Sequence, residues 1–367
     1  MRLLLINPWE AEVFPPPAIG YLQAAAKRVP DCEVTALDLF AALKQPDDWD
    51  IVAVTFHSFS VKYAEAIRKS FWRSWLVCGG HHPSALPEQL LGVGYNQVVV
   101  GEGENAIKDI ICGDTNRIIQ GRPVKVGDIL LPDYTGLQYD GTMGLPIISS
   151  RGCPFGCKFC ASSNFWQRKW KMRTAEQVLA EVFASGVRQF MFEDDNFTLN
   201  RQRVLDICSG LRGHGFAWQC ASRAETLCDD ELCHVLHAAG CHTVWLGVES
   251  LSQDSLDRCG KQTTVGAMLQ GIATAERHGL ATMSQFIVGL PDDTQRDVDI
   301  TCQHIRQSKI RRRGANVLWV LPHTEAYRRA KAQGFSDDVY LATGAPFYTY
   351  EQNMNTLQMW TNQINTA

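Results

Sequence analysis

Short apolar runs rich in β-branched residues alternate with amphipathic stretches along almost the whole of this 367-residue chain. Few polar residues interrupt the runs, which is typical of parallel strands covered on both faces. In the first hundred residues the pattern predicts strands at 3–7, 34–39, 51–55, 75–78 and 98–100, and helices at 19–29 and 63–70. We therefore expect an α/β fold that begins with a Rossmann-like parallel sheet domain over residues 1–121.

The alternation lapses between residues 122 and 145, where proline, glycine and aspartate are frequent, and we predict an ordered linker there. It resumes over residues 146–333. The predicted strands lie at 146–150, 189–193, 217–222, 243–248, 282–288 and 315–321, and the predicted helices at 174–184, 201–212, 229–239, 265–278, 294–307 and 323–331. Six strand–helix units in a row predict a partial (β/α)6 barrel, with its chemistry at the carboxyl ends of the strands.

Two C-terminal features have simpler interpretations. The aromatic-rich C-terminal extension, residues 334–367, is expected mainly to pack against the rest of the chain. The run Arg311-Arg312-Arg313 is interpreted as a solvated helix end, where cations are favourable to the helix dipole.

Composition and charge restrict the class of protein. The formal net charge is −4, so we expect no nucleic-acid partner, because nucleic-acid binding normally needs a basic face. No apolar run is long enough to span a bilayer, so we expect no membrane partner. The first apolar run is short and is followed at once by Pro8, unlike a signal peptide, so we expect a cytoplasmic protein.

The chain has thirteen cysteines, and three of them are clustered in the sequence. Most are scattered and are expected to be reduced, buried, apolar side chains. Cys153, Cys157 and Cys160 have C-x3-C-x2-C spacing, and Gly152 and Gly156 allow the loop to bend tightly. Three thiolates suit a [4Fe–4S] cluster that keeps one iron without a protein ligand, which implies chemistry. Structural zinc is disfavoured, because no fourth Cys or His follows in zinc-finger spacing.

This loop and the strand ends after it resemble the radical S-adenosylmethionine (SAM) enzymes. The resemblance implies that the amino and carboxylate groups of SAM chelate the open iron. It further implies that an acidic segment holds the SAM amino group, that a hydroxyl or guanidinium meets the SAM carboxylate, that Glu249 accepts from the ribose hydroxyls, and that Phe159 and the fifth strand flank adenine. The SAM-binding residues implied in this way are Phe159, Glu193, Asp194, Asp195, Ser222, Arg223, Glu249, Ile287 and Val288.

The N-terminal segments 16–22, 79–83 and 100–104 resemble the cobalamin-binding domain of the B12-dependent radical SAM class, although that class more usually has proline where this chain has His81. The Asp-x-His-x-x-Gly motif that supplies a lower axial histidine to cobalt in other B12 proteins is absent. The resemblance therefore implies base-off cobalamin without a protein ligand below cobalt, and His57 packed against the corrin. The implied cofactor-binding residues are Pro17, Ile19, Gly20, Tyr21, Phe56, His57, Ser58, Gly79, Gly80, His81, Gly101, Glu102, Gly103 and Glu104.

The activity that the resemblance implies is methyl transfer from methylcobalamin to an unactivated carbon, after a 5′-deoxyadenosyl radical has removed hydrogen from that carbon. We expect a small-molecule substrate and a one-electron reductant such as flavodoxin or ferredoxin. The sequence does not distinguish this activity from cyclisation or ring rearrangement with the same cofactors.

Two other classes of protein are considered. A methylthiotransferase needs a second N-terminal cluster, for which Cys32, Cys78 and Cys112 are present, but Gly79-Gly80-His81-His82 and the missing RNA-binding module argue against it. A non-enzymatic iron–sulfur or cobalamin carrier is disfavoured by the many SAM-type residues at the predicted strand ends.

Overall fold

The computed structural model of the protein describes residues 1–8, 17–137 and 144–367. It forms two compact units, one of Met1–Pro146 with Phe335–Pro346 and one of Ile147–Gly334 with Phe347–Ala367. Each unit is built on its own six-stranded sheet, as the two predicted runs of alternating strands and helices require.

The first unit has a parallel sheet in the order β2-β1-β3-β4-β5-β6. Its strands are β1 (Arg2–Asn7), β2 (Glu33–Asp38), β3 (Ile51–Thr55), β4 (Trp75–Gly79), β5 (Gln97–Gly101) and β6 (Ile118–Gly121). Its helices are α1 (Pro17–Ala26), α2 (Leu39–Ala42), α3 (Ala64–Ser70), α4 (His81–Ala85), α5 (Pro87–Val93) and α6 (Gly103–Ile111). All five residues of β3 are buried, as expected for a strand covered on both faces.

The second unit has a sheet in the order β14-β13-β12-β11-β10-β7, and the pairs from β10 to β14 are parallel. Its strands are β7 (Leu145–Ile147), β8 (Ser150–Arg151), β9 (Lys171–Met172), β10 (Gln189–Phe192), β11 (Ala217–Arg223), β12 (Cys241–Glu249), β13 (Ala281–Val288) and β14 (Arg313–Val317). Its helices are α7 (Ala161–Phe165), α8 (Ala175–Ser185), α9 (Arg201–Leu211), α10 (Asp230–Ala238), α11 (Gln253–Arg258), α12 (Val265–Arg277), α13 (Gln295–Ser308) and α14 (Glu325–Ala332).

One face of the second sheet packs through aromatic side chains. Phe192 stacks on Phe197 with 4.3 Å between ring centroids, and both contact Trp218 edge-on. The three side chains are fully buried. Burial of each such ring contributes about 2 kcal/mol, so this cluster fixes β10 and β11 relative to each other.

The segment predicted as a linker belongs to the first unit over its described residues 122–137; residues 138–143 lie outside the described part. Lys27 of α1 forms an ion pair with Asp133 at 2.6 Å, and the Gln23 side chain donates to the Thr135 carbonyl. A Cβ on Gly20 would lie 2.4 Å from the Tyr134 ring. The segment therefore packs along α1, and strand β6 before it was not predicted because its sequence is short and partly polar.

The predicted extension of residues 334–367 also differs from the structure, because its two halves join different units. The first contains α15 (Asp338–Thr343), where Tyr340 packs edge-on against His82 at 5.0 Å. The second forms α16 (Met354–Thr366), which packs on β14 and α13. The prediction of plain packing agrees with this arrangement, but not with a single extension.

Arg313 is not part of a solvated helix end, as we had interpreted it. It opens the edge strand β14, and its guanidinium donates to the carbonyls of Ile364, Asn365 and Ala367 at the end of α16. The Asn365 side chain in turn accepts from the backbone N–H of Ala315. Arg313 thus satisfies the free carbonyls at a helix C-terminus, where a cation is also electrostatically favourable.

Within the described residues, no helix combines the length and the apolar character that crossing a bilayer demands.

Candidate functional site

The cysteine loop lies between the short strands β8 and β9 of the second unit. These strands pair antiparallel, Ser150 with Met172 and Arg151 with Lys171. Gly152 has φ +86°, and a Cβ there would lie 2.2 Å from the Lys169 carbonyl. Only glycine fits this position, so the backbone leaves β8 and turns directly into the loop.

The three cysteine thiols are half-buried. Burial raises the pKa of Cys153 and Cys160, and the neighbouring thiols add to the rise for Cys153. Partly desolvated thiols whose thiolates repel one another suit binding to a cationic iron centre. In the described part of the chain, no three His, Cys, Asp or Glu side chains converge as ligands of a single metal ion.

Arg223, at the carboxyl end of β11, contacts the inner side of the cysteine loop. Its guanidinium lies over the Phe155 ring at 4.0 Å and places Nη1 4.0 Å from the Cys157 Sγ. Nη2 donates to the Lys261 carbonyl and Nε pairs with Glu225. The buried guanidinium therefore joins the end of β11, the cysteine loop and the loop after α11.

Glu249, at the carboxyl end of β12, is held in an unusual backbone conformation. It has φ +65°, and the pairing register between β12 and β13 shifts between Gly247 and Glu249. Its Oε1 accepts from Lys261 Nζ at 3.0 Å, and the two side chains are 10% and 5% exposed. A non-glycine residue with positive φ at a β-bulge is uncommon and is typical of functional sites.

The acidic segment after β10 splits into two roles. Asp194 is wholly enclosed: it accepts from the Ser149 backbone N–H at 2.7 Å and from the Ser149 and Ser150 hydroxyls, and lies 3.7 Å from Arg203. Burial raises its pKa, whereas Arg203 and the serines lower it. Both carboxylate oxygens of Asp194 are already engaged. This geometry therefore favours a structural role, in which Asp194 fixes the start of the cysteine loop, and does not favour the predicted contact with SAM.

Glu193 and Asp195 flank Asp194 and remain more open. Burial, with the charge of Asp194, raises the pKa of Glu193 to about 7. Asp195 is exposed and accepts from the Ser162 hydroxyl at 2.7 Å, two residues after Cys160. These two carboxyl groups are therefore less enclosed than that of Asp194.

In two further pairs of predicted SAM-binding residues, Ser222 with Arg223 and Ile287 with Val288, the two side chains have different surroundings. Ser222 is buried, and its hydroxyl bonds to Thr198 at 2.6 Å and to Thr226 at 2.9 Å, so Arg223 alone remains available to a carboxylate. Val288 is buried and its carbonyl accepts from Leu318, whereas Ile287 is half-buried on the other face of β13. Only the second pair differs in burial, because Ser222 and Arg223 are both buried.

Phe159 lines a cavity of about 90 Å³ at the ends of β13 and β14. Leu290 and Pro291, from the segment that the resemblance places beside adenine, line the same cavity. The structure therefore brings the aromatic residue of the cysteine loop together with the end of the fifth barrel strand.

In the first unit, the predicted residues at the ends of β3 and β4 come together. Gly80 has φ +100°, and a Cβ there would lie 2.7 Å from the Phe56 carbonyl. The His57 and His81 ring centroids lie 5.7 Å apart. His57 is exposed and His81 is half-buried; partial desolvation lowers the pKa of both imidazoles, and the His57 ring further lowers that of His81, to about 3. Both rings are neutral at pH 7.

Ser58 belongs to a polar chain below these rings. Its hydroxyl bonds to His82 Nδ1 at 3.0 Å, and His82 Nε2 bonds to the Gln89 amide oxygen at 2.8 Å. The Gln89 amide nitrogen donates to the Asp337 carbonyl. Burial lowers the pKa of His82 to about 4, so this imidazole is also neutral. Ser58 and His82 therefore hold the loop after β3 in place.

The remaining predicted residues of the first unit lie in several places. Gly20 faces Tyr134, and Gly103 faces Leu22, so both glycines serve close packing. Ile19 and Phe56 are fully buried, whereas Gly79, Gly101 and Pro17 are half-buried. The Glu102 carboxylate accepts from the Val124 N–H at 3.2 Å. Tyr21 and Glu104 line a cavity of about 440 Å³ between α1, α6 and residues 122–130.

Lys261 is the main site residue that the sequence analysis missed. It lies twelve residues after Glu249 in a Cys-Gly-Lys turn, and no spacing rule connects the two. Only the contact between Nζ and Oε1 identifies it.

Known proteins resemble this chain in sequence and in fold. The family model for the radical SAM superfamily matches residues 147–305. An uncharacterized methyltransferase of Pyrococcus horikoshii is 28% identical over 359 residues, covering 84% of this chain and 78% of that protein. An anaerobic magnesium-protoporphyrin IX monomethyl ester cyclase of Rubrivivax gelatinosus is 27% identical over 269 residues, covering 63% of this chain and 48% of that protein.

A solved structure of TsrM, a radical SAM methyltransferase from Kitasatospora setae, has a TM-score of 0.75 at 18% identity, covering 90% of this chain and 76% of that chain. At this identity the likeness shows a shared fold. Residues 147–305 thus form a radical SAM domain, and the chain that carries this domain is an enzyme. The predicted fold class and enzyme class are confirmed, and these comparisons agree with the predicted resemblance to cobalamin-dependent radical SAM enzymes.

Proposed function

We propose that this enzyme moves a methyl group from methylcobalamin to an unactivated carbon of a small molecule. The observation that carries the proposal is the contact chain from the cysteine loop through Arg223 and Lys261 to Glu249, at the carboxyl ends of parallel strands. That edge is where α/β proteins place their ligands.

The donor set fits a [4Fe–4S] cluster with bound SAM. Cys153, Cys157 and Cys160 would hold the cluster. The cluster and SAM together supply a 5′-deoxyadenosyl radical when an electron arrives. Glu193 would hold the SAM ammonium, Arg223 its carboxylate and Glu249 its ribose hydroxyls. These charges are fixed in place by neighbouring side chains, so the protein contributes positioning and exclusion of water.

The first unit fits cobalamin at the ends of β3, β4 and β5. Gly80 lets the loop after β4 pass close to the Phe56 carbonyl at the end of β3, and the backbone N–H of Gly101 donates to the Ser84 hydroxyl at 3.0 Å. Cobalamin supplies the transferable methyl group. We propose that it is bound base-off and that His57 and His81 pack as neutral rings without binding cobalt. An EPR spectrum of the cob(II)alamin form with nitrogen superhyperfine splitting from a protein ligand would contradict this.

A methylthiotransferase is disfavoured by the positions of its candidate cysteines. Cys32 precedes β2, whereas Cys78 lies near the carboxyl end of β4. The amino ends and the carboxyl ends of parallel strands lie on opposite sides of a sheet, so one cluster cannot bind both cysteines.

The test uses SAM with an isotopically labelled methyl group and anaerobically reconstituted enzyme. Methyl transfer predicts equal amounts of 5′-deoxyadenosine and S-adenosylhomocysteine, because one SAM is cleaved and another donates its methyl group, and predicts label in the substrate. Steady 5′-deoxyadenosine formation with no S-adenosylhomocysteine and no label transfer would instead establish cyclisation or rearrangement.

A further inference from the structure

The outer side of the cysteine loop carries exposed cations. Lys158, between two of the cysteines, is exposed, as are Arg168 and Lys169 in the turn after α7. We define these three residues as the basic patch. Pro154, on the same loop, is also exposed, so solvent reaches the loop between the cysteines.

The turn that carries Arg168 is held against the loop. Gln167 and Arg168 have φ +54° and +55°, and the Arg168 backbone N–H bonds to the Ser163 carbonyl at 2.8 Å. A Cβ built on Gly156 would lie 3.0 Å from the Arg168 guanidinium carbon. Two successive left-handed residues that are not glycine are rarely retained unless the surroundings fix them. The guanidinium thus lies directly beside the cluster-binding backbone.

The patch cations are not neutralised by carboxylates. In the described part of the chain, none of the three forms an ion pair; Lys169 Nζ donates only to the Gln167 side chain, at 3.1 Å. The nearby carboxylates Asp292 and Glu325 are paired with Arg329. Because the chain carries a formal net charge of −4, this local positive field contrasts with the charge of the molecule as a whole.

The two sides of the loop differ in accessibility. On the inner side, Phe155 packs against the buried Arg223 guanidinium, which the proposed function assigns to SAM. Pro154 and Lys158 are exposed to solvent, and Lys158 also lines the cavity that contains Phe159 and Pro291. A protein that delivers an electron to the cluster must approach closely, because electron transfer weakens steeply with distance, and the outer side offers that approach.

We propose that the basic patch is the docking surface for an acidic one-electron carrier protein of the flavodoxin type. This inference depends on one part of the proposed function, namely that the cysteine loop holds a cluster that can be reduced. In the productive complex, a flavin hydroquinone gives one electron to the oxidised cluster and becomes the semiquinone, with the proton released to solvent or retained on the flavin. The unpaired cations steer the acidic carrier to the cysteine loop and hold it weakly, as suits a repeated encounter.

The test compares two reductants on one reconstituted enzyme without substrate, by following cluster absorbance in stopped flow. One is flavodoxin hydroquinone; the other is reduced methyl viologen, a small cation that needs no docking surface. In the variant Arg168→Glu/Lys169→Glu, the second-order rate constant with flavodoxin should fall about tenfold or more. The rate of reduction by methyl viologen should not fall in this variant. Added salt should slow the reduction of the wild type by flavodoxin, but not the reduction of the variant by flavodoxin or of either protein by methyl viologen.

The matched control is Arg311→Glu/Arg312→Glu, which makes the same charge change on exposed arginines just before β14. They lie at the amino edge of the sheet, away from the cysteine loop, so flavodoxin reduction should keep its wild-type rate. Iron content and an EPR redox titration of each variant check the cluster. If the charge reversal disturbs assembly, the milder Arg168→Gln/Lys169→Gln variant replaces it.

Two results would overturn the proposal. Equal slowing with both reductants would mean that the cations serve the cluster and not the donor, and an unchanged flavodoxin rate would mean that docking occurs elsewhere. If the wild type assembles no reducible cluster, it is the proposed function that fails, so the two failures are distinguishable.

Discussion

Replacing Lys261 by methionine tests whether the Glu249 carboxylate is positioned for a ligand. The side chains have similar length, but methionine removes the cation whose Nζ lies 3.0 Å from Glu249 Oε1. Glu249 would then be left buried and unpaired, with its backbone still fixed at φ +65°. We expect it to take up a proton or turn away, and so to lose its hold on the SAM ribose.

The magnitude follows from burial. Removing one partner of a buried ion pair costs about 3–5 kcal/mol, and the 10% exposure of Glu249 reduces this to about 2–3 kcal/mol because water screens the carboxylate. Since 1.4 kcal/mol is a tenfold change, the Kd for SAM should rise roughly 30- to 150-fold. Lys261→Arg keeps the charge and should restore most of the affinity.

The assay is isothermal titration of SAM into reconstituted enzyme, with iron content and thermal unfolding measured in parallel. Lys44→Met, which removes an exposed lysine of the first unit, is the control and should bind SAM like the wild type. Wild-type affinity in Lys261→Met, or an equal loss in the methionine and arginine variants, would refute the reasoning.

Three further outcomes are expected. Cys157→Ala should lose most bound iron and all SAM cleavage, whereas Cys302→Ala, a buried thiol outside the loop, should lose neither; iron quantitation and 5′-deoxyadenosine assays decide this. Gly80→Leu should weaken corrinoid binding and spare the iron cluster, because φ +100° and the 2.7 Å approach to a carbonyl exclude a side chain; Gly92→Ala, with no atom within 4 Å, is its control in spectroscopic corrinoid titrations. The pKa of Glu193 near 7 predicts that SAM affinity falls as pH drops through 7, because the protonated carboxyl loses its charge; in Glu193→Gln, calorimetric titrations should give a nearly flat profile.

The positions of the strands could be predicted closely because one physical rule governs them. The predicted strand at 282–288 corresponds to Ala281–Val288 in the structure, since a buried parallel strand must be nearly continuous in apolar residues. Strand β6 was missed because a short edge strand with a polar residue lacks that signal.

The candidate site was predicted less exactly because consecutive residues were assigned the same role. Side chains alternate between the two faces of a strand, so Ser222 and Arg223, or Ile287 and Val288, cannot both face one ligand. The structure turns Val288 into the core and leaves Ile287 half-buried, whereas Ser222 and Arg223 are both buried and differ in their hydrogen-bond partners. Lys261 could not be predicted, because its partnership with Glu249 depends on how two loops meet in space.

The bond network around Arg313 has a practical consequence for handling the enzyme. β14 is the edge strand of the second sheet, and the Asn365 side chain occupies its Ala315 N–H while the arginine holds the last residues in place. Removing residues 365–367 would leave the Ala315 N–H and the Arg313 Nη2 without these partners at the edge of the sheet, where an unpaired strand invites addition from neighbouring molecules. Preparations that lack residues 365–367 should therefore aggregate while the cysteine loop is still intact.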